Sequence, residues 1–448
     1  MKHPNLVLVF ADQWRYQASG FGGDANVRTP NVDRLSGVSL SFTTAVSGCP
    51  VCSPARASLL TGQYPDEHGV FVNDVCLGSQ AVSLADAYKN AGYDTAYIGK
   101  WHLDGHGRSN YIPSGRRHGF DFWQVLECTH DYNHSFYYAG EDATRRIWPG
   151  YDAEAQTRQA QQYIHEHAQG KPFCLVLSWG PPHNPYDSAP ERYARMYDPS
   201  RLTLRLNVPL AIHEQARQNL AGYYAHVSAL DALIGDLWQT LQAEQIADDT
   251  LFVIWSDHGD MLGSQGQWRK QRPWDESIRV PLLVHYPALL GQQGRNLDTP
   301  INTPDLMPTI LSLSGIPIPA TVRGMDYAPH LLGEAAAPAD AVLLACYQPF
   351  GEYTRQEHGG REYRGLRSRR YTYARDLNGP WLLYDDKADP YQMHNLIADP
   401  QYASLQQDFD NQLTKLLKRY NDEFRPGQDY IERWNYTVDA TGTVPYTE

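Results

Sequence analysis

Four short apolar runs punctuate the first part of the chain: NLVLVF (Asn5–Phe10), TAYI (Thr95–Ile98), FCLVL (Phe173–Leu177) and LFVIW (Leu251–Trp255). Each is too compact for an independent helix and is bounded by polar residues or glycine, the pattern of a strand buried on both faces. Helical stretches lie between and beyond them. Ala153–Gln169 has a sparse apolar face, Gln215–Gln245 is long and amphipathic, and Thr303-Pro304-Asp305 opens a helix with a cap residue, a proline in its first turn and an early acid. Strands separated by such helices predict an α/β fold: a large, mostly parallel mixed sheet sandwiched by helices. Gly333–Asp340 (GEAAAPAD) reads as a small-residue linker. Beyond it, Ala341–Cys346, Tyr363–Ala374 and Trp381–Tyr384 predict strands of a smaller sheet, and Asp408–Asn421 a helix. The expected organisation is a large domain over residues 1–338 and a smaller C-terminal α+β subdomain over 339–448 with a short antiparallel sheet.

The reactive side chains fall at the ends of these runs. NLVLVF leads into Ala11-Asp12-Gln13, TAYIG into Lys100-Trp101-His102, FCLVLSWG into Pro181-Pro182-His183, and LFVIWS into Asp257-His258-Gly259-Asp260. In open α/β sheets ligands bind outside the carboxyl ends of the strands. Four separate segments are therefore predicted to deliver carboxylates, an amide, a lysine and histidines to one crevice. Taken singly each has a plain structural reading, Asp12 or Asp257 as a turn or helix cap and a histidine as a surface or satisfied core group. Their shared placement points to chemistry.

Composition narrows the partners. With 42% hydrophobic and 20% charged residues in 448, the chain can bury a large core. A formal charge of −13 argues against nucleic acid or an anionic membrane as partner. No window offers the uncharged apolar stretch a membrane span needs. Six cysteines are too sparse for a disulfide framework and fit a reducing compartment. The opening MKHPNLVLVF has neither a basic leader nor a small-residue cleavage site. The expectation is a cytoplasmic protein, or a periplasmic or secreted one if the numbering starts from a trimmed form.

The stretch CPVCSPARASLLTG, Cys49 to Gly62, holds two of those cysteines three positions apart. A redox pair or half a zinc site would share that spacing, but no second CxxC or histidine pair completes a zinc set. The residues after Cys52 say more. Pro54 suits a first helical turn, Ala57-Ser58-Leu59-Leu60-Thr61 continues it and Gly62 ends it. Cys52 is thereby predicted at a helix N-terminus, where unpaired N–H groups and the helix dipole stabilise negative charge.

Cys52-Ser53-Pro54-Ala55-Arg56 followed by Leu60-Thr61-Gly62 resembles the signature of the type I sulfatases of the alkaline phosphatase superfamily, Cys-x-Pro-Ser/Ala-Arg and then x-x-x-Leu-Thr-Gly. The resemblance extends through Gly99-Lys100-Trp101-His102, Pro182-His183-x-Pro185, Ser256-Asp257-His258-Gly259 and Lys270 ahead of Trp274-Asp275-Glu276-Ser277, to Leu383-Tyr384-Asp385 near the end. It implies an alkaline-phosphatase-like fold and a hydrolase that cleaves sulfate monoesters. It also implies that Cys52 is oxidised to formylglycine by a formylglycine-generating enzyme, with Cys49 a bystander in the core. By the same resemblance one divalent cation would be held by Asp12, Gln13, Asp257, His258 and residue 52. Oxygen-dominated ligation points to Ca²⁺ first, with Mg²⁺ or Mn²⁺ as alternatives. Gln13 stands where many members carry a second aspartate, so one negative charge is missing. Arg56 would support the aldehyde hydrate, His102 would act as base when sulfate is expelled, and His183 would protonate the leaving alcohol. Lys100 and Lys270 would neutralise sulfate oxygens; the plain alternative for Lys270, beside Arg269 and Arg272, is a solvated basic face. Trp101, Trp179, Trp268 and Trp274, with Arg269 and Arg272, are candidates for a substrate wall. A sulfated carbohydrate is the leading substrate class, followed by an aryl or alkyl sulfate. Phosphonate monoester and phosphodiester hydrolases of the same superfamily also pair Asp-Gln with Cys-x-Pro-x-Arg, which makes that activity the principal alternative.

Overall fold

A computed structural model describes residues 3–354 and 359–447. The four apolar runs become strands: β1 (Asn5–Asp12), β2 (Asp94–Lys100), β4 (Phe173–Pro182) and β5 (Thr250–Ser256), with β3 (Phe122–Leu126) as a fifth. These five are parallel neighbours in the order β5-β1-β4-β2-β3. Shorter strands extend the sheet to ten: Leu282–His285, Leu40–Phe42 and Arg295–Leu297 beyond β5, and Phe136–Ala139 and Asp142–Ile147 beyond β3. The added strands contain the sheet's antiparallel pairs, so the sheet is mixed with a parallel centre.

Side-chain alternation explains why β1 sits in the middle. Leu6, Leu8 and Phe10 enter the core on one face, while Val7, Val9 and Ala11 enter the core on the other. On β5, Leu251, Val253 and Trp255 join the first core and Phe252 and Ile254 the second. Helix α1 (Cys52–Thr61) covers the first face together with the helix Thr303–Leu313. The second face is covered by α2 (Asp152–His167) and the long α3 (His213–Ala243). At about 1.5–3 kcal/mol per fully buried aliphatic or aromatic side chain, the two cores fix the register of the central strands. Gly99 of β2 lets the sheet close, because a β-carbon there would lie 2.0 Å from the Ser178 carbonyl oxygen.

Beyond the linker, Ala341–Cys346, Tyr363–Ser368, Tyr371–Asp376 and Gly379–Asp385 form a four-stranded antiparallel sheet. Some sequence boundaries shift. The Tyr363–Ala374 run is two strands joined by a tight turn, and the terminal helix begins at Ala403, five residues ahead of Asp408, and ends at Arg419. The Thr303 helix is capped by Asn302, whose side chain forms a reciprocal capping box with Asp305. The chain then returns to the large domain. Tyr430 and Ile431 of the short helix Gly427–Arg433 are buried in its first core, and the Arg108 N–H donates to the Thr447 carbonyl at 2.8 Å.

One buried arginine ties these parts. Arg364 forks onto Asp422, donates to the Tyr430 hydroxyl at 3.0 Å and reaches the Cys346 carbonyl at 3.1 Å. Removing it strands the buried Asp422 carboxylate. Arg364→Ala is therefore expected to lower unfolding stability by about 3–5 kcal/mol in denaturant titration; a loss below about 1 kcal/mol would contradict this reading of the junction.

Candidate active site

The carboxyl ends of β1, β2, β4 and β5 meet the N-terminus of α1. Because β1 and β5 run parallel in register, with Ala11 paired to Ser256, the residues that follow, Asp12 and Asp257, emerge side by side. Helix α1 starts at Cys52 after an extended Val51 and ends at Gly62, whose left-handed conformation lets its N–H reach the Ser58 carbonyl at 2.9 Å. No acidic residue sits in its first turn, and all ten of its residues are buried. Arg56, one turn in, bridges the two carboxylates: Nη2 lies 3.2 Å from Asp12 Oδ2, and Nε donates to Asp257 Oδ2 at 3.1 Å. Its other nitrogen donates to the Lys100 carbonyl at 2.9 Å and to Ser178 Oγ at 2.8 Å, which locks the guanidinium to β2 and β4.

The Cys52 sulfur stands where the oxygens of a modified residue would stand. Lys270 Nζ donates to it at 3.0 Å, His258 Nε2 lies at 3.2 Å and Asp12 Oδ1 at 3.7 Å. Lys100 Nζ donates to Asp12 Oδ2 at 2.6 Å. Three cations, Arg56, Lys100 and Lys270, thus surround the two carboxylates and the sulfur, a setting that favours an anion at position 52. Burial and the Asp12 carboxylate push the Cys52 thiol up, but Lys270, Lys100 and His258 pull it well below the usual thiol range. Burial likewise raises Asp12, yet Lys100, His183, Lys270 and Arg56 together hold it well below the usual carboxylate range.

Donor atoms of Asp12, Cys52, Asp257 and His258 all lie within 4.8 Å of one another. Gln13 faces the same centre, since its amide oxygen accepts from Lys270 Nζ at 3.3 Å. Two carboxylates, an amide oxygen and an imidazole converging on one point fit a hard divalent cation. His258 is oriented for this role, because Nδ1 is 2.9 Å from the Gly259 carbonyl and Nε2 is left to face the centre.

The histidines flank residue 52. His102 Nε2 is 3.3 Å from Asp74 Oδ1, and Arg108 grips both oxygens of Asp74 at 2.8 Å. Burial works against a charge on His102; Cys128 and the Asp74 hydrogen bond outweigh it and push the ring up to about 9. At neutral pH that ring holds a proton and must release it before acting as a base. His183 Nδ1 faces the Asn184 carbonyl at 2.8 Å, and its ring stacks on His130 with centroids 4.7 Å apart. Burial and then Lys270 hold His183 well below its ordinary range, so the ring is neutral at neutral pH.

The backbone is strained where the chemistry sits. Gln13 and His102 adopt positive φ, 76° and 60°, which non-glycine residues seldom do. Gln13 is held by its N–H donating to Asp257 Oδ1 at 3.0 Å and by Tyr223 donating to its carbonyl at 2.6 Å. The His102 carbonyl accepts from Ser53 Oγ at 2.7 Å.

The structure brings Asp12, Gln13, Cys52, Arg56, Lys100, Asp257, His258 and Lys270 into contact around one point, with His102 and His183 buried within electrostatic reach, and Lys270 is buried rather than on a solvated face. Most of the expected aromatic wall lies away from the site's surface. Trp101 is fully buried among Tyr97, Phe120 and Trp123, and Trp179 is buried in the second core. Trp274 packs on Trp381 at the junction with the small sheet, while Trp268 and Arg269 are half-buried. Arg272 is buried, its guanidinium 5.3 Å from the Tyr353 ring centre. Two supporting residues had no role assigned from the sequence. Asp260 accepts from Gln13 Nε2 at 2.7 Å and so turns the amide oxygen inward; its place three residues after Asp257 was an available signal. Asp74 has no local motif to mark it.

Residues 4–316 match the Sulfatase family, and residues 263–419 match the family described as N-sulphoglucosamine sulphohydrolase, C-terminal. The ulvan-active sulfatase of Formosa agariphila is 43% identical over 451 residues, covering 99% of this chain and 87% of that protein. A Bacteroides thetaiotaomicron structure, from work on glycosaminoglycan metabolism, has a TM-score of 0.86 at 28% identity and covers 99% of this chain and 100% of its own. The phosphonate monoester hydrolase of Agrobacterium radiobacter has a TM-score of 0.77 at 26% identity, covering 93% of this chain and 96% of its own. A family match across most of the large domain and a relative alike from end to end agree with the chemistry gathered at position 52: the chain belongs to the sulfatase family, within the alkaline phosphatase superfamily.

Proposed function

We propose that the chain removes sulfate from a sulfated oligosaccharide or polysaccharide, with residue 52 acting as formylglycine after oxidation by a formylglycine-generating enzyme. The observation that carries this reading is the surround of the Cys52 sulfur: a helix N-terminus, Lys270 at 3.0 Å, His258 at 3.2 Å and a carboxylate pair. The carbohydrate class draws on the ulvan-active relative. Asp12, Gln13, Asp257, His258 and residue 52 would hold one divalent cation, Ca²⁺ first, with Mg²⁺ or Mn²⁺ as alternatives.

Such a cation, when bound, lowers the pKa of an oxygen ligand on residue 52. The modified residue supplies two hydroxyls on one carbon, one to attack sulfur and one whose deprotonation releases sulfate. Lys100 and Lys270 bind the sulfate oxygens and meet the charge that grows on them. Arg56 fixes Asp12 and Asp257 and thereby the position of the hydroxyl that attacks. His102, braced by Asp74 and Arg108, carries the proton exchanged at residue 52. His183 is neutral before substrate binds. A bound sulfate ester offsets the positive field of the lysines, lifts the ring's proton affinity, and lets Nε2 deliver a proton to the leaving oxygen while Nδ1 stays on the Asn184 carbonyl.

Gln13 beside Asp12 favours the phosphonate monoester reading, whereas Lys100 and His102 beside residue 52 favour sulfate. With enzyme whose Ser47–Gln63 peptide carries the formylglycine mass, turnover of a sulfated sugar or aryl sulfate is expected to exceed that of an aryl phosphonate monoester; a large preference for the phosphonate would overturn the sulfate reading. His183→Ala is expected to cut kcat on a sugar sulfate by about 10²–10⁴ and to affect 4-nitrophenyl sulfate, whose phenolate leaves unaided, far less. Equal losses on the two substrates would remove His183 from the acid role.

A further inference from the structure

We propose that a cavity lined by Asn184 and Arg269, the chain neighbours of His183 and Lys270, is the subsite for the sugar unit linked to the sulfated one, and that it accepts a hydroxyl-rich unit without a second sulfate. This rests on the carbohydrate reading above. The cavity has a volume of about 730 Å³, within the range of ligand pockets. Two of its lining residues are chain neighbours of the reacting groups: Asn184 directly follows His183, and Arg269 directly precedes Lys270. His183 is the group that would protonate the leaving oxygen, so the sulfated sugar sits against it and the unit linked to that sugar extends towards Asn184.

One wall of the cavity is a face of α3. Gln215, Gln218 and Asn219 follow helical spacing, with Gly222 one turn on. A β-carbon at Gly222 would lie 2.2 Å from the Tyr186 carbonyl oxygen, so the helix rests directly on the loop carrying Tyr186. The Tyr186 hydroxyl donates to Asp260, which holds the Gln13 amide. The amide wall is therefore rigidly placed with respect to the residues around position 52.

Its chemistry selects the occupant. The Gln215 and Gln218 side chains are exposed, Asn219 is half-buried, and none of the three makes a side-chain hydrogen bond to another described residue. Each amide offers a donor and an acceptor, which adjacent sugar hydroxyls match. Asn184 Oδ1 adds a buried acceptor without a partner. The charges nearly cancel: Arg269 is balanced by Asp187 on the same lining and by Glu352, 3.2 Å from its Nε. A multiply sulfated unit would find no surplus of cations here.

The test compares kcat/KM for sulfate release from an ulvan oligosaccharide with that from a sulfated monosaccharide prepared from the same polymer. Two or three hydrogen bonds should favour the oligosaccharide by about tenfold in the unaltered enzyme. Gln218→Ala/Asn219→Ala should bring the ratio to within about twofold of one, and Gln215→Ala should lower it part of the way. The ratio is independent of the active fraction, so partial misfolding does not imitate the result. A ratio near one in the unaltered enzyme, or an unchanged ratio in the double variant, overturns the subsite. Sulfate released from neither sugar contradicts instead the carbohydrate reading on which it rests.

Discussion

Two carboxylates at the ends of adjacent parallel strands, both fully buried and joined by one guanidinium, are the constraint on which the rest of the site depends. Asp12 and Asp257 are brought together by the pairing of β1 with β5. Removing two like charges from water costs several kcal/mol each unless they are paired and hydrogen-bonded. Arg56 supplies the pairing, and it can do so because α1 begins at Cys52 and aims its first turn at the strand ends. The helix therefore does two things at once, presenting residue 52 at its N-terminus and delivering the arginine that makes the carboxylate pair tolerable. Lys100 and Lys270 then bring further positive charge to the centre, which suits an anionic ester.

The parts of this arrangement that were legible in the sequence are those set by local pattern. Compact apolar runs identified the four strands, and the residues after each run identified the site, because a strand buried on both faces places its next residues at the sheet edge. The helix at Cys52 was readable from Pro54 and Gly62. Other features depend on tertiary packing. Asp142–Ile147 is an exposed edge strand with no apolar run to betray it. Trp101 and Trp179 neighbour reactive residues in the sequence, but alternation at the strand ends turns them into the cores and leaves their polar neighbours facing the site. Asp74 acts through His102, and a pairing between distant loops has no sequence spacing to announce it.

The far end of the chain is part of the same machinery. Arg108, which fixes Asp74 and through it His102, has its guanidinium 3.4 Å from the centre of the Tyr446 ring and its N–H on the Thr447 carbonyl. The closing residues thus brace one side of the site, while the amide face of α3 bounds a cavity on the other. Rigid support of this kind keeps reacting groups within the narrow geometry that proton transfer and in-line displacement require.

The central claim is that Asp12, Asp257, His258 and residue 52 share one ion. Anomalous diffraction from crystals of the formylglycine-bearing enzyme grown with Mn²⁺ tests it most directly. The account predicts a single strong peak enclosed by those four side chains and Gln13, absent from an Asp257→Ala crystal. A peak elsewhere with this centre empty, or a peak here that survives loss of Asp257, would contradict it.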